Sequence, residues 1–165
     1  MNNLILCGFM GCGKTTVGHR LSRLLSMEYL DLDAEIEIES GLSIPEIFSQ
    51  FGEDHFRDLE HRAIADIAKR ISCVVSTGGG ALTFARNVKV ISPQDTVIFL
   101  DVPFEVCYDR IKDTGRPIVA SNTKDQMRQL YEKRRSAYLA ASSCRISGAV
   151  PADEAANAIR SHLGR

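Results

Sequence analysis

The stretch ILCGFMGCGKTTVG, residues 5–18, sets Gly8, then four residues, then Gly13, Lys14 and Thr15. That is the spacing of a phosphate-binding loop, and chemistry explains it. Glycine lets successive backbone N–H groups turn inward around an anion. The helix that follows adds its positive end. Lys14 would reach the β- and γ-phosphates, and the Thr15 hydroxyl would hold Mg²⁺. Cys12 serves as a small residue whose backbone does the binding, although the helix end could also acidify its thiol. A GTPase would need a base-reading NKxD, which the chain lacks, and the larger ATPase classes need a longer chain. A small ATP-dependent kinase is the class that remains.

Such a kinase needs groups for an acceptor. In YLDLD, residues 29–33, period two puts Asp31 and Asp33 on one side of a strand. Asp33 would take the proton of an attacking hydroxyl, and Asp31 would hold Mg²⁺ through water. Alternatively, Asp33 caps a helix over 34–40 and Asp31 is solvated. On a helix over 124–141, Met127, Leu130, Tyr131, Ala137, Tyr138 and Ala141 form an apolar stripe with Arg134 in its middle. A guanidinium among apolar neighbours needs an anion. It is met either by a substrate carboxylate or phosphate or by an acid on another helix. On a helix over 53–70, Glu60 lies within the apolar face and Arg57 at its edge. They pair at i, i+3, and Arg57 is either satisfied by that pair or aimed by it at an anion. Gly78, Gly79 and Gly80 follow the strand CVVST, where bare N–H groups leave room for an acceptor. Arg116, in an irregular loop, suits the charge-stabilising arginine of a closing lid or is a solvated surface residue. Arg110 would stack on adenine or complement a helix end. Asp101, before Val102 and Pro103, reads as a helix N-cap. None of the four histidines has metal-ligand company.

These residues must be positioned by a regular frame. Short apolar runs over 4–7, 29–32, 73–76, 96–100 and 144–146 read as strands. Helical patterns lie between them, near 14–26, 43–51, 53–70, 83–90, 103–112, 124–141 and 151–163. Ser43 and Glu46 form a capping box, and PADE at 151–154 opens the last helix. This alternation implies a parallel sheet with helices on both faces and ligands at the carboxyl ends of its strands. Residues 113–123 lack periodicity and read as a mobile surface loop. The 165 residues form one domain, 1–165, and are 44% hydrophobic and 25% charged, as in a soluble globular protein. A net charge of −1 excludes nucleic-acid and membrane-surface partners. Five cysteines without a CxxC pair point to reduced thiols in the cytoplasm. No signal peptide and no run of the roughly 20 apolar residues of a membrane span is apparent.

Taken together, GFMGCGKTT, the DLD of 31–33, FRDLE at 56–60, TGGGA at 77–81, GRP at 115–117 and RRSAY at 134–138 resemble the shikimate kinase family over nearly the whole chain. The resemblance implies a three-layer α/β/α P-loop kinase, like nucleoside monophosphate kinases. It would have a five-stranded parallel sheet, a lid at about 112–124 and a helical substrate-binding region at about 33–61. It implies transfer of the γ-phosphate of ATP to the 3-hydroxyl of shikimate, on the route to chorismate and aromatic amino acids. By the same resemblance, Gly11, Cys12, Gly13, Lys14, Thr15 and Thr16 bind the phosphates, and Thr15 holds Mg²⁺. Asp33, Arg57, Gly79 and Arg134 contact shikimate, and Arg116 is the lid arginine. Phe48 and Phe56 look like the phenylalanines that pack on the acceptor ring. Arg135 also matches the arginine of the last motif, but the spacing to Tyr138 and the apolar stripe choose Arg134. A monomer is expected. The competing expectation is a kinase for another small polyol acid such as gluconate, which would keep the phosphate loop and lid but not the DLD, FRxxE and GGG set together.

Overall fold

A computed structural model of the chain describes residues 2–165. Its strands are β1 (Leu4–Cys7), β2 (Glu28–Asp31), β3 (Cys73–Ser76), β4 (Thr96–Asp101) and β5 (Cys144–Ser147). They form one parallel sheet in the order β2-β3-β1-β4-β5, with Ile5 opposite both Val75 and Val97. The sequences LILC and CVVS are buried at every position, as central parallel strands covered on both faces must be. The edge strands EYLD and CRIS mix buried and exposed residues.

The helices are α1 (Lys14–Leu25), α2 (Leu32–Ser40), α3 (Ile44–Ile67), α4 (Ala85–Lys89), α5 (Phe104–Ile111), α6 (Pro117–Ala120), α7 (Lys124–Ala141) and α8 (Ala152–His162). A 3₁₀ turn spans Ala81–Thr83. α1 packs on β1 to β3 and against α8, which covers β5, while α7 lies on β4 and the 3₁₀ turn. The result is the three-layer α/β/α arrangement of a P-loop kinase. Asn3, buried at the start of β1, ties the far end of the sheet together. Its side chain donates to Ile67 O and Arg70 O and accepts from Cys73 N.

Several local expectations change. β2 begins and ends one residue earlier, so Asp33 is not on a strand beside Asp31. Instead Asp31 is the N-cap of α2, accepting from Ala34 N at 3.2 Å, and Asp33 lies in the first helical turn. A short polar side chain that can satisfy an orphan helix N–H ends the strand there. The helices expected at 43–51 and 53–70 are one element. It is bent at Gly52 (φ 83°), capped by the Ser43–Glu46 box and ends at Ile67. Residues 113–123 contain the four-residue α6, started by Pro117. Asp101 does not cap α5. It closes β4, and Pro103 precedes the helix.

Candidate active site

The carboxyl ends of β1, β2 and β3 open into a cavity of about 540 Å³. One half is the phosphate loop. Gly11 (φ 79°) and Gly13 (φ 95°) take left-handed backbone angles that other residues resist. A side chain at Gly11 would also strike Cys107 O, 2.7 Å from the added carbon. Gly13, Lys14 and Thr15 line the cavity at the start of α1. Lys14 Nζ crosses the loop, donating to Gly8 O at 2.6 Å and Phe9 O at 3.3 Å. Cys12 is buried beneath the loop, with its Sγ 3.6 Å from Lys14 Nζ, so only its backbone faces outward. Thr16 lies off the cavity wall. Arg110, exposed on α5, donates from Nη1 to Gly11 O at 2.9 Å, and this fixes it at the rim of the loop.

The other half is built by α2, α3, α7 and the loop after β3. Here the three consecutive glycines find their reason, because each faces a different charged side chain. A methyl on Gly78 would stand 3.0 Å from Asp33 Oδ1 and 3.5 Å from Glu60 Oε2. One on Gly79 would stand 3.1 Å from Arg134 Nη1, and one on Gly80 2.8 Å from both Nη1 and Nη2 of Arg57. The bare backbone thus lets one carboxylate and two guanidinium groups converge on a single space.

Burial sets the electrostatics of this space. Asp33 Oδ1 is buried and has no hydrogen-bond partner among the described residues. Burial, reinforced by the like charge of Asp31, raises its pKa. Arg57 donates from Nη1 to Glu60 at 2.9 Å. Burial pushes the Glu60 carboxyl up even against that guanidinium. Arg134 is half-buried, and burial weakens its hold on its proton. Among the described residues no carboxylate lies within ion-pair distance of it, so the expected alternative of an acid on another helix is not realised. Arg135 is spoken for by a bidentate contact to Asp101, at 2.9 and 2.8 Å. Between the two neighbouring arginines, Arg134 is therefore the one free to meet an anion.

Phe56 is buried and lines the cavity, whereas Phe48 packs tilted beside it at 4.8 Å between ring centroids and stands off the wall. Asp31 and the exposed Arg116 also line the cavity, Arg116 from the segment before α6. The sequence placed Tyr138 in the apolar stripe but not the partner of its hydroxyl, which donates to Gly79 O and ties α7 to the glycine loop. The signal was present, since a buried tyrosine in an apolar stripe still needs a partner for its hydroxyl. Met10, Ile44 and Ile118, also on the wall, carry no such signal in the sequence. Among the described residues no group of three or more His, Cys, Asp or Glu could enclose a metal ion. The donor set of Thr15 and Asp31 suits a cation held largely by nucleotide phosphates.

Residues 10–163 match the family model of shikimate kinase. The chain belongs to the shikimate kinase family. A shikimate kinase from Persephonella marina is 43% identical over 148 residues, covering 89% of each chain. One from Aquifex aeolicus is 37% identical over 151 residues, 92% of this chain and 89% of the relative. Among solved structures, a shikimate kinase from Acinetobacter baumannii in complex with shikimate superposes with a TM-score of 0.89 at 36% identity. That match covers 99% of this chain and 94% of the other. The cavity presents a phosphate loop on one wall, and cations with an unpaired carboxylate on the other.

Proposed function

We propose that the chain uses ATP and Mg²⁺ to phosphorylate the 3-hydroxyl of shikimate, with its residues dividing the work as the cavity divides. The observation that carries this reading is the half-buried Arg134, unpaired beside Gly79 and facing the same space as Arg57 and Asp33. Two guanidinium groups suit a small carboxylic acid, and Asp33 suits its hydroxyl. Nothing in the cavity favours gluconate. The loop amides and Lys14 hold the β- and γ-phosphates, and Arg110 lies at the loop rim where the base would sit. Thr15, with Asp31 through water, would hold the Mg²⁺, which neutralises phosphate charge when bound. The 3-hydroxyl oxygen forms the new bond to phosphorus as the bridging oxygen leaves with ADP, and the hydroxyl proton passes to Asp33. Arg116 moves in with the lid to balance charge on the transferring group. Glu60 holds Arg57, while Gly78, Gly79, Gly80 and Phe56 shape the acceptor wall, with Phe48 supporting Phe56.

Residues 33–61 would form the acceptor-binding region and 112–124 the lid of one domain, acting as a cytoplasmic monomer. Five free, buried cysteines suit a reducing compartment. Purified protein supplied with ATP and, in turn, shikimate, gluconate and nucleoside monophosphates tests the assignment. ADP release with shikimate alone is expected; release only with gluconate or a monophosphate would refute it.

A further inference from the structure

Arg57 has two edges able to grip a carboxylate through paired hydrogen bonds, Nη1/Nη2 and Nε/Nη2. The first is closed. A methyl on Gly80 would stand 2.8 Å from each terminal nitrogen but 3.1 Å from Cζ, so the Gly80 backbone lies off that edge. Nη1 is also bound to Glu60. Rings flank the guanidinium, with the Phe56 and Phe84 centroids 5.2 and 5.0 Å from Cζ. The second edge is occupied by Glu53 Oε1, 3.4 Å from both Nε and Nη2.

Two acids therefore share Arg57 on unequal terms. The Glu60 side chain is 1% exposed and its contact is short, whereas the Glu53 side chain is 62% exposed and its contacts are long. A buried, hydrogen-bonded pair is costly to break, but an exposed one contributes little. Glu53 also has somewhere to go. It lines an outer groove with Asp54, Asp58, Phe84 and Arg86, and Arg57 lines both this groove and the main cavity.

We infer that Glu53 is a displaceable stand-in for the acceptor's carboxylate. It occupies the Nε/Nη2 edge of Arg57 until shikimate takes that edge and then swings into the outer groove. Glu53 is thus a positioning residue that acts through Arg57, and the inference rests on the reading of Arg57 as a carboxylate receptor. A tethered competitor filters ligands. Shikimate is gripped at Arg134 and Asp33 as well and displaces Glu53, while a simple monocarboxylate with fewer contacts does not. The filter lowers the affinity for shikimate itself.

Steady-state kinetics of Glu53→Ala, with Arg57→Ala as control, test this. Glu53→Ala should lower KM for shikimate about two- to five-fold, the range of an exposed ion pair. KM for ATP and kcat should stay unchanged, and inhibition by benzoate should strengthen by a similar factor. An ordinary helix-stabilising pair would leave KM unchanged or raise it, and either result overturns the inference. If Arg57→Ala leaves KM for shikimate unchanged, the receptor role of Arg57 fails and the inference with it. If Arg57→Ala raises KM but Glu53→Ala does not lower it, only the inference fails.

Discussion

In its proposed role Asp33 would serve the reaction at the expense of the fold. Its Oδ1 is buried without a donor, and burial together with Asp31 raises its pKa above the ordinary 3.8. Because the folded carboxyl holds its proton more tightly than the unfolded one, it adds stability below that ordinary value. The benefit is lost as pH rises through the folded pKa, and at neutral pH the ionised group is a net cost. Asp33→Asn should therefore raise the melting temperature at pH 7.5, by roughly 2–4 °C per kcal/mol relieved, and by less at pH 4. The same change should lower kcat by the 10²–10⁴ typical of a lost general base. It should also remove an acid limb in the kcat/KM profile, which that raised pKa sets above the ordinary 3.8. Thermal scans at the two pH values, kcat and a kcat/KM profile check both halves; an Asn variant with unchanged kcat would reduce Asp33 to a spacer. Gly80 offers a second test. Its backbone angle (φ −93°) accepts alanine, but the new methyl would press on Arg57 at 2.8 Å. Gly80→Ala should raise KM for shikimate several-fold and leave KM for ATP alone, as initial-rate measurements would show.

At the scale of elements, α7 is placed by three contacts that together aim Arg134. Tyr131 donates to Val102 O at 2.7 Å, Arg135 grips Asp101, and Tyr138 donates to Gly79 O. Asp101 also binds Arg145 of β5 at 2.8 Å. Burial pushes the Asp101 carboxyl up, but the hydrogen bonds and charges of Arg135 and Arg145 overcome this, and the net shift is downward. A lowered folded pKa contributes stability above the unfolded value of 3.8, lost as pH falls through the folded one. Asp101→Asn should destabilise the protein at pH 7 by about 1–3 kcal/mol, toward the lower end because both arginines are partly exposed. That penalty should shrink below pH 4, and KM for shikimate should rise as α7 loosens; urea unfolding at two pH values with kinetics decides. Asp101 also marks where sequence reading stops. The phosphate loop, the parallel order of elements, and Arg57, Gly79 and Arg134 were legible because motif spacing and helical periodicity are local properties. The roles of Asp101, Tyr138 and Asn3 depend on partners 34, 59 and 70 residues away, and no local pattern encodes such distances. Even the move of the helix cap from Asp33 to Asp31 turned on a one-residue shift at the end of β2, where strand alternation and helix capping compete for the same side chains.

At the scale of the whole molecule, the segment between α5 and α7 is a weakly packed flap beside the cavity at the carboxyl ends of the strands. Between Ile111 and Met127, both buried in the core, every side chain is exposed except Ile118 and Val119, which rest partly on that core. α6 has a single turn and no buried residue, while the Thr123–Gln126 capping box makes a firm start for α7. A segment with few buried contacts opens at low free energy, which suits a lid and also exposes it to proteases. Yet Arg116 and Ile118 line the cavity, so on the proposed lid role anything bound there would offer the segment new contacts and hold it down. Trypsin should report this. The Arg116–Pro117 bond resists it and Lys124 lies within the capped first turn of α7, so the first cut in this segment should fall at Lys112. ADP and shikimate together should slow cleavage there several-fold, and more than either alone, because Arg116 and Ile118 both line the cavity the two ligands would share. Mass spectrometry of the early fragments gives both sites and rates. Equal cutting with and without the two ligands would mean that the flap does not close on them, and Arg116 would then lose its route to the transferring phosphate.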